Sequence, residues 1–594
     1  MTPRRTLGAG LLALVVGCSL MASTPATAST PATASAATAA ATHDDARRSG
    51  RFDAPFTGFA PAGTVLRQRT PEQLGMDPAP LDASFARIRG WEDPSGSTHP
   101  LYAGAVALVG HDGAVVRTEA SGWALRYADG QGTELPRDQW QPMREDTLFD
   151  LASVSKLFTS IMVMQQVERG AIDLDAPVAT YLPAFAANGK GDITVRQLLT
   201  HTSGLPAWLP LWSARPDKAS RIQMVMDAKP SHAPGTTYLY SDLNLITLGV
   251  LVEQQTGQGL DQVLRERVTG PLGMTDTGYN PTHRARAAAT EFEASPPRGM
   301  VQGEVHDENA WSLGGVAGHA GVFSTAHDLA VLAQTLLNGG TYRGHRVLRE
   351  DSVRQMVTNM NQAFPGNSHG LGLELDQRWY MSGLSSPTTA GHTGFTGTSI
   401  VIDFMSRSFA ILLTNRVHPS RSWGSNNPAR REIAQGLALS LGVEPRHGRT
   451  EWWSGTADAT TATLTTPVLA DADRSRLSFD LFVDTEESDP LTLESSTDGG
   501  QTWTPLPFTV RDRGEVHSTD GTVATSGTRR WVQAAADVPA GPVQVRWRYT
   551  TDALYAGRGV FVDGVRVVGG RGVLLDSERQ PDALVAQGWS VVSR

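Results

Sequence analysis

Apolar positions recur with different periods in successive stretches of this chain. Residues 103–117 hold two short apolar runs broken at His111-Asp112-Gly113, the pattern of two strands around a turn. Residues 157–167 form an apolar segment of helical length closed by Arg169-Gly170. Two more follow, 243–256 ended by Gly257 and 328–337 ended by Gly339-Gly340. Residues 398–403 and 408–414 read as paired strands, and 429–441 return to helix. Strands at both ends of this region with helices between them predict an α+β domain whose sheet draws on both chain ends.

Beyond Trp452-Trp453 the helical period disappears. Thr, Val, Asp and Gly dominate, and 475–483, 491–496, 543–549 and 559–568 alternate or run apolar between turn residues, which predicts an all-β sandwich. The expected organisation is therefore 1–50 as export signal and Ala/Thr/Ser/Pro tether, 51–446 as the α+β domain and 451–594 as the sandwich. The sandwich carries no catalytic motif, so its removal is expected to leave a folded domain.

Composition narrows the chemistry. A net charge of -9 supplies no basic face for nucleic acid. The one cysteine, Cys18, lies in the leader, so a disulfide, a cysteine nucleophile and a thiolate zinc site are excluded after it. Arg4 and Arg5 precede an apolar run over 7–21, and Ala-Thr-Ala triplets follow at 26–28 and 32–34. This leader predicts a secreted or envelope-associated protein. Val15-Val16-Gly17-Cys18 offers the alternative of a lipoprotein anchored to the membrane through Cys18, and the arginine pair also fits a twin-arginine signal.

The candidate chemistry starts at Ser153-Val154-Ser155-Lys156, just ahead of the first apolar helix. A serine hydroxyl is a weak nucleophile until a base takes its proton, and a lysine three residues on shares its helix face. In a partly dry site that lysine loses its proton more easily. The motif alone is weak. Tyr240-Ser241-Asp242 and His392-Thr393-Gly394 follow in order, joined by Phe149-Asp150-Leu151-Ala152, Leu198-Leu199-Thr200-His201-Thr202-Ser203-Gly204-Leu205 and Gly321-Val322-Phe323-Ser324-Thr325.

Together these elements resemble the penicillin-recognising serine hydrolases, in the branch of class C β-lactamases, D,D-peptidases and esterases. The resemblance implies a β-lactamase/transpeptidase-like fold, an antiparallel sheet flanked by helices. By position it implies Ser153 as nucleophile, Lys156 taking or sharing its proton, and Tyr240 relaying a proton to the leaving group. It implies an oxyanion hole from the backbone N–H groups of Ser153 and Phe395. Asp242, His392, Thr393 and Gly394 would contact the substrate. It calls for no metal and no cofactor. Two departures stand out. Asp242 replaces the family's asparagine and, if ionised, cannot donate to a substrate carbonyl; this argues against efficient β-lactam recognition and for a substrate bearing a donor or positive charge, unless Asp242 only caps the following helix. His392 replaces a common lysine and makes the site less cationic.

Other residues have plainer readings. His306-Asp307-Glu308-Asn309 and His319 read as a hydrogen-bonded loop near the cleft, in the absence of a zinc signature, with direct substrate contact by His306 or Glu308 as the alternative. His201 reads as a packed loop histidine, and Trp208, Trp212 and Trp311 either line a cleft or simply pack. The tail, with Ser496-Thr497-Asp498-Gly499-Gly500-Gln501-Thr502-Trp503, resembles jelly-roll accessory modules, which bind glycans, walls or a neighbouring domain. Asp552 and Asp563 there are turn caps or calcium ligands. The expected function is D-alanyl-D-alanine carboxypeptidase on cell-wall peptides. The alternatives are an esterase or D-amino-acid amidase with the same serine, and a silent wall-binding or penicillin-sensing protein.

Overall fold

The computed structural model describes residues 51–94, 98–525, 527–555 and 557–593. The leader with Cys18 and the tether lie outside the described residues. Asp77 accepts a hydrogen bond from Ala79 N and Pro78 takes the first helical position, so helix α1 runs Pro78–Gly90. Strands β1 (Gly104–His111) and β2 (Ala114–Leu125) form a hairpin. Its turn is Asp112-Gly113, both at positive φ (42° and 79°), a geometry that matches the twist of the flanking strands. Helices α2 (Ser155–Glu168), α3 (Asp242–Thr256) and α4 (Ala326–Leu337) follow, α3 stopped by Gly257 at φ 67°. Strands β3 (Glu374–Leu375), β4 (Thr389–Thr393), β5 (Ser399–Asp403) and β6 (Ser408–Thr414) lead to helix α5 (Asn427–Ser440).

The strands assemble as β2-β1-β6-β5-β4-β3, antiparallel throughout, with a short segment Arg67–Gln68 added parallel to β2. β6 pairs with β1, so strands from the two ends of the region meet in mid-sheet. Both strands read as continuous apolar runs because both faces are covered. Val106 and Leu108 join the core under α2, α3 and α4, whereas Ala105, Ala107 and Val109 join the core under α1 and α5.

The remainder is β-rich, as expected. Strands β7 (Glu451–Trp453), β8 (Ser475–Asp484), β9 (Leu491–Ser496), β10 (Val532–Val538), β11 (Gly541–Thr550) and β12 (Gly559–Gly569) belong to two sheets. β8 lies between β10 and β12, and β9 pairs with β11. Phe479 meets Trp547 edge to face at 5.2 Å in the core between them.

The expectation of a freely removable tail needs correction. Phe482 and Phe561 belong to the same apolar cluster as Phe52, α1 and α5. Arg529, fully buried, pairs with the equally buried Asp403 at the end of β5. It also donates to Leu384 O at 2.6 Å, and its guanidinium lies 4.1 Å from the Phe52 ring centroid. Arg558 donates to Leu441 O at 2.5 Å. Truncation would leave Asp403 as an uncompensated buried charge and bare an apolar face, so the two regions depend on each other.

Candidate active site

Ser153 sits in a short 3-10 turn, Ala152–Val154, at the entry to α2. The preceding Ala152 takes φ 47°, a left-handed conformation that strains an alanine and must be held by its surroundings. Asp150 supplies part of that hold, accepting from Ala152 N at 2.9 Å and from His306 N at 2.6 Å. Thr396 and Thr398 hydroxyls grip the carbonyls of Asp150 and Leu151. The loop after β4 is thereby fastened against the nucleophile turn. A Cβ at Gly394 would meet Leu151 O at 2.3 Å, so only glycine fits this approach.

Lys156, the second residue of α2, is 1% exposed. Its Nζ donates to Ser153 Oγ at 2.8 Å and His319 O at 3.1 Å and lies 2.8 Å from Asp242 Oδ1. The Tyr240 hydroxyl hydrogen-bonds to both Lys156 and Ser153. Burial by itself would lower the lysine pKa, but the charge of Asp242, with Tyr240 beside it, overrides burial and raises it. Lys156 is therefore a cation donating to Ser153 Oγ, not a resting acceptor of its proton. Burial pushes Tyr240 up to about 12 against the pull of Lys156.

Asp242 departs from both sequence readings. It is the first residue of α3, after Ser241 at the cap, and carries its carboxylate to Lys156. Oδ1 is buried, with no other close partner among the described residues. Behind this pair His319 Nε2 meets Asp307 Oδ1 at 2.9 Å, and the charge of His319 helps hold Asp307 low against burial. Sequence reading placed these two residues in a loop; the shared cluster of acids and lysine is formed by tertiary contact.

His201 is buried against Tyr240, ring centroids 4.5 Å apart. Its Nδ1 accepts from Ser241 N at 3.1 Å, and burial drives its pKa far below the ordinary value, so it is a neutral wall. His392 donates Nδ1–H to Thr393 O at 2.7 Å, and burial followed by Lys156 lowers its pKa to about 3.

Ser153, Tyr240, His392, Thr393, Gly394 and Phe395 share a cleft of about 490 Å³. Trp208, Trp212 and Trp311 are not on its wall; Trp379 and Tyr238 are. Two arginines join that the sequence did not single out. Arg430 donates to Gly394 O at 2.6 Å and fixes the loop. Arg416 lies at the wall with its guanidinium 5.6 Å from the Phe395 ring centroid. Phe395 is half exposed and stacks on His306.

Three groups of acidic residues, two of them with a histidine, have a metal-like arrangement among the described residues. Lys156 occupies the first, Asp242/Asp307/His319. Arg298 and Arg421 neutralise the second, Glu291/Glu293/His306. The third places Asp552 with Glu486 and Asp489 in the β-rich region, ligand atoms within 4.8 Å of one another. Asp563 instead accepts from Arg446 N and His447 N, as a turn residue does.

Comparison with known proteins adds to this geometry. A beta-lactamase family model matches residues 98–435, and one described as immune inhibitor A-like, MAM domain, matches residues 425–593. An Escherichia coli (strain K12) protein named "Putative D-alanyl-D-alanine carboxypeptidase" is 32% identical over 408 residues, 62% of this chain and 90% of that protein. Similar solved structures include a hydrolase with promiscuous acyltransferase activity (TM-score 0.49, 23% identity, 61% of this chain and 99% of that one). A penicillin-binding protein homolog from Caulobacter crescentus has TM-score 0.48 and 20% identity, over 60% of this chain and 97% of that one.

Proposed function

Because the chain belongs to the β-lactamase family of serine hydrolases, we propose that it is a D-alanyl-D-alanine carboxypeptidase acting on cell-wall peptides. The observation that carries this reading is the hydrogen-bonded Ser153–Lys156–Tyr240 cluster opening on a cleft that presents the Arg416 guanidinium. A guanidinium on the wall suits the free carboxylate of a peptide C-terminus. The relative named as a carboxypeptidase supports the same substrate class.

Ser153 Oγ attacks the carbonyl carbon of the scissile bond. Lys156, held as a cation, already donates to Oγ, so the serine proton is directed to Tyr240 Oη. Tyr240 is neutral at rest; it takes that proton as it passes its own to the leaving nitrogen. The backbone N–H groups of Ser153 and Phe395 receive the oxyanion. The C–N bond breaks, D-alanine leaves as an amine, and the acyl group stays on Ser153. Water then attacks the ester with Tyr240 handling the proton, and Ser153 is released. His392 and Thr393 border the peptide, and Gly394 allows its close approach.

Half-exposed Phe395, with Trp379 and Tyr238, favours a second reading as an esterase for apolar acyl groups. A panel of D-Ala-D-Ala peptides, p-nitrophenyl esters and a β-lactam separates the readings. Ser153→Ala should abolish turnover and fluorophosphonate labelling. Labelling of wild type at Ser153 would dismiss a silent wall-binding or penicillin-sensing role; retained activity in the variant would dismiss this mechanism. We place the protein outside the cytoplasm on its leader, with release or anchoring through Cys18 as the alternatives, and assign wall or glycan contact to the β-rich region. Cell fractionation and binding to purified wall material test both.

A further inference from the structure

A further cavity, of about 560 Å³, opens where the β-rich region meets the α+β region. Its volume falls within the roughly 300–1,000 Å³ of small-molecule sites. It shares no lining residue with the Ser153 cleft. Met76, just ahead of α1, and Leu439 of α5 line it from the α+β region. Trp453 of β7 and Phe561 of β12 line it from the β-rich region, their rings stacked at 5.9 Å.

Two buried polar side chains interrupt this apolar lining. Glu451 of β7 is 3% exposed, and its Oε2 has no hydrogen-bond partner among the described residues. Arg558 is 5% exposed. Its Nη2 donates to Leu441 O, but its Nε is buried without a partner among the described residues. Asp484 attracts that guanidinium yet directs its oxygens to the backbone N–H groups of Gly527 and Arg558. The acids around Glu451 are engaged as well. Arg51 holds Asp53 and Glu444, and Asp563 accepts from the backbone N–H groups of Arg446 and His447. Asp77, exposed on the lining, caps α1. Burial, followed by the charges of Asp563 and Asp53, pushes the Glu451 carboxyl up to about 9, so at neutral pH it offers an O–H. Burial brings Arg558 down only to about 10, so it stays a cation. A guanidinium and a carboxylic acid in one apolar cavity both supply donors. A buried cation without a counter-ion costs free energy that an entering anion would recover.

We propose that this cavity binds an anionic amphiphile: a monocarboxylate with an apolar chain or ring. Its carboxylate would sit between Arg558 and Glu451, and its apolar part against Trp453 and Leu439. Because the lining comes from both regions, the ligand would tie them together. Binding is noncovalent and independent of the Ser153 chemistry.

The probe is sodium decanoate, with 1-decanol and decylamine as chain-matched controls, titrated calorimetrically into the whole protein near pH 7. Decanoate should bind more tightly than either control by roughly tenfold or more, the scale of a charge-assisted contact. It should also raise Tm, since it binds the folded state. Leu439→Trp fills the cavity and leaves both polar groups in place, so it should lose this binding while keeping the wild-type circular dichroism. Arg558→Gln should weaken decanoate by roughly tenfold or more, whereas Glu451→Gln should still bind it, because the amide also donates. Equal affinity for the three probes, or tighter binding of decylamine, would overturn the proposal. So would an absence of decanoate binding in wild type, or decanoate binding that survives Leu439→Trp.

Discussion

Asp242→Asn isolates the charge that keeps Lys156 protonated. The two groups lie 2.8 Å apart with Lys156 1% exposed. Without the carboxylate, burial is the dominant influence and lowers the lysine pKa. Folding must then either bury an unpaired ammonium or deprotonate it. Deprotonation sets the ceiling on the cost: from an ordinary lysine pKa of ~10.4 to pH 7 is ~3.4 pH units, or ~4.6 kcal/mol at ~1.36 kcal/mol each. The deficit should shrink as pH rises, to ~1.9 kcal/mol at about pH 9, because the unfolded lysine also approaches its own pKa. The sign differs in wild type. There the raised lysine contributes stability in full below about pH 10.4, lost only as pH climbs through the folded value. Denaturant unfolding of both proteins from pH 7 to 9.5 reads the difference directly. The pH profile of acylation by an aryl ester should change as well, with the limb belonging to Lys156 moving to lower pH in the variant. A deficit that stays constant with pH, together with superimposable acylation profiles, would mean that Asp242 does not set the lysine charge.

Tyr240→Phe should lower kcat by roughly 10² or more with little change in folding, since it removes a proton relay and not a packing group; single-turnover acylation measures it. Arg416→Ala should raise KM for peptides ending in a free carboxylate at least tenfold, on the scale of a lost charge-assisted contact, and change ester hydrolysis much less. Similar losses on both substrates would remove its assignment to the carboxylate. Arg529→Met should destabilise the whole described unit by about 3–5 kcal/mol, because Asp403 stays buried without its partner. Adding Asp403→Leu should recover most of that loss. An Arg529→Met protein as stable as wild type would restore the picture of a separable tail.

Much of the fold was legible in local pattern. Helices α2, α3 and α4 and the pair β5–β6 follow from apolar periodicity and from stops such as Gly257, which are properties of contiguous residues. The order of Ser153, Lys156, Tyr240 and His392-Thr393-Gly394 along the chain was enough to name a chemistry. Side-chain type and spacing on one helix turn carry that information without any knowledge of the rest of the fold.

The charge state of the site was decided elsewhere. Whether Lys156 gives or takes a proton depends on Asp242, which α3 delivers across the core, and on His319 O, which arrives from a third segment. Electrostatic energy depends on distance in space and on burial, and neither is encoded by separation along the chain. The same reason hid Arg416 and Glu374, ordinary residues in sequence that become cleft walls when the loop after β6 and the edge strand β3 fold against β4. It also hid the dependence of the β-rich region on its neighbour: Arg529 and Asp403 lie in segments of different pattern, yet one buried ion pair joins them. The sequence by itself determined which elements form and which functional groups are available; tertiary packing alone determined which of those groups share a dry site, and so which of them hold charge.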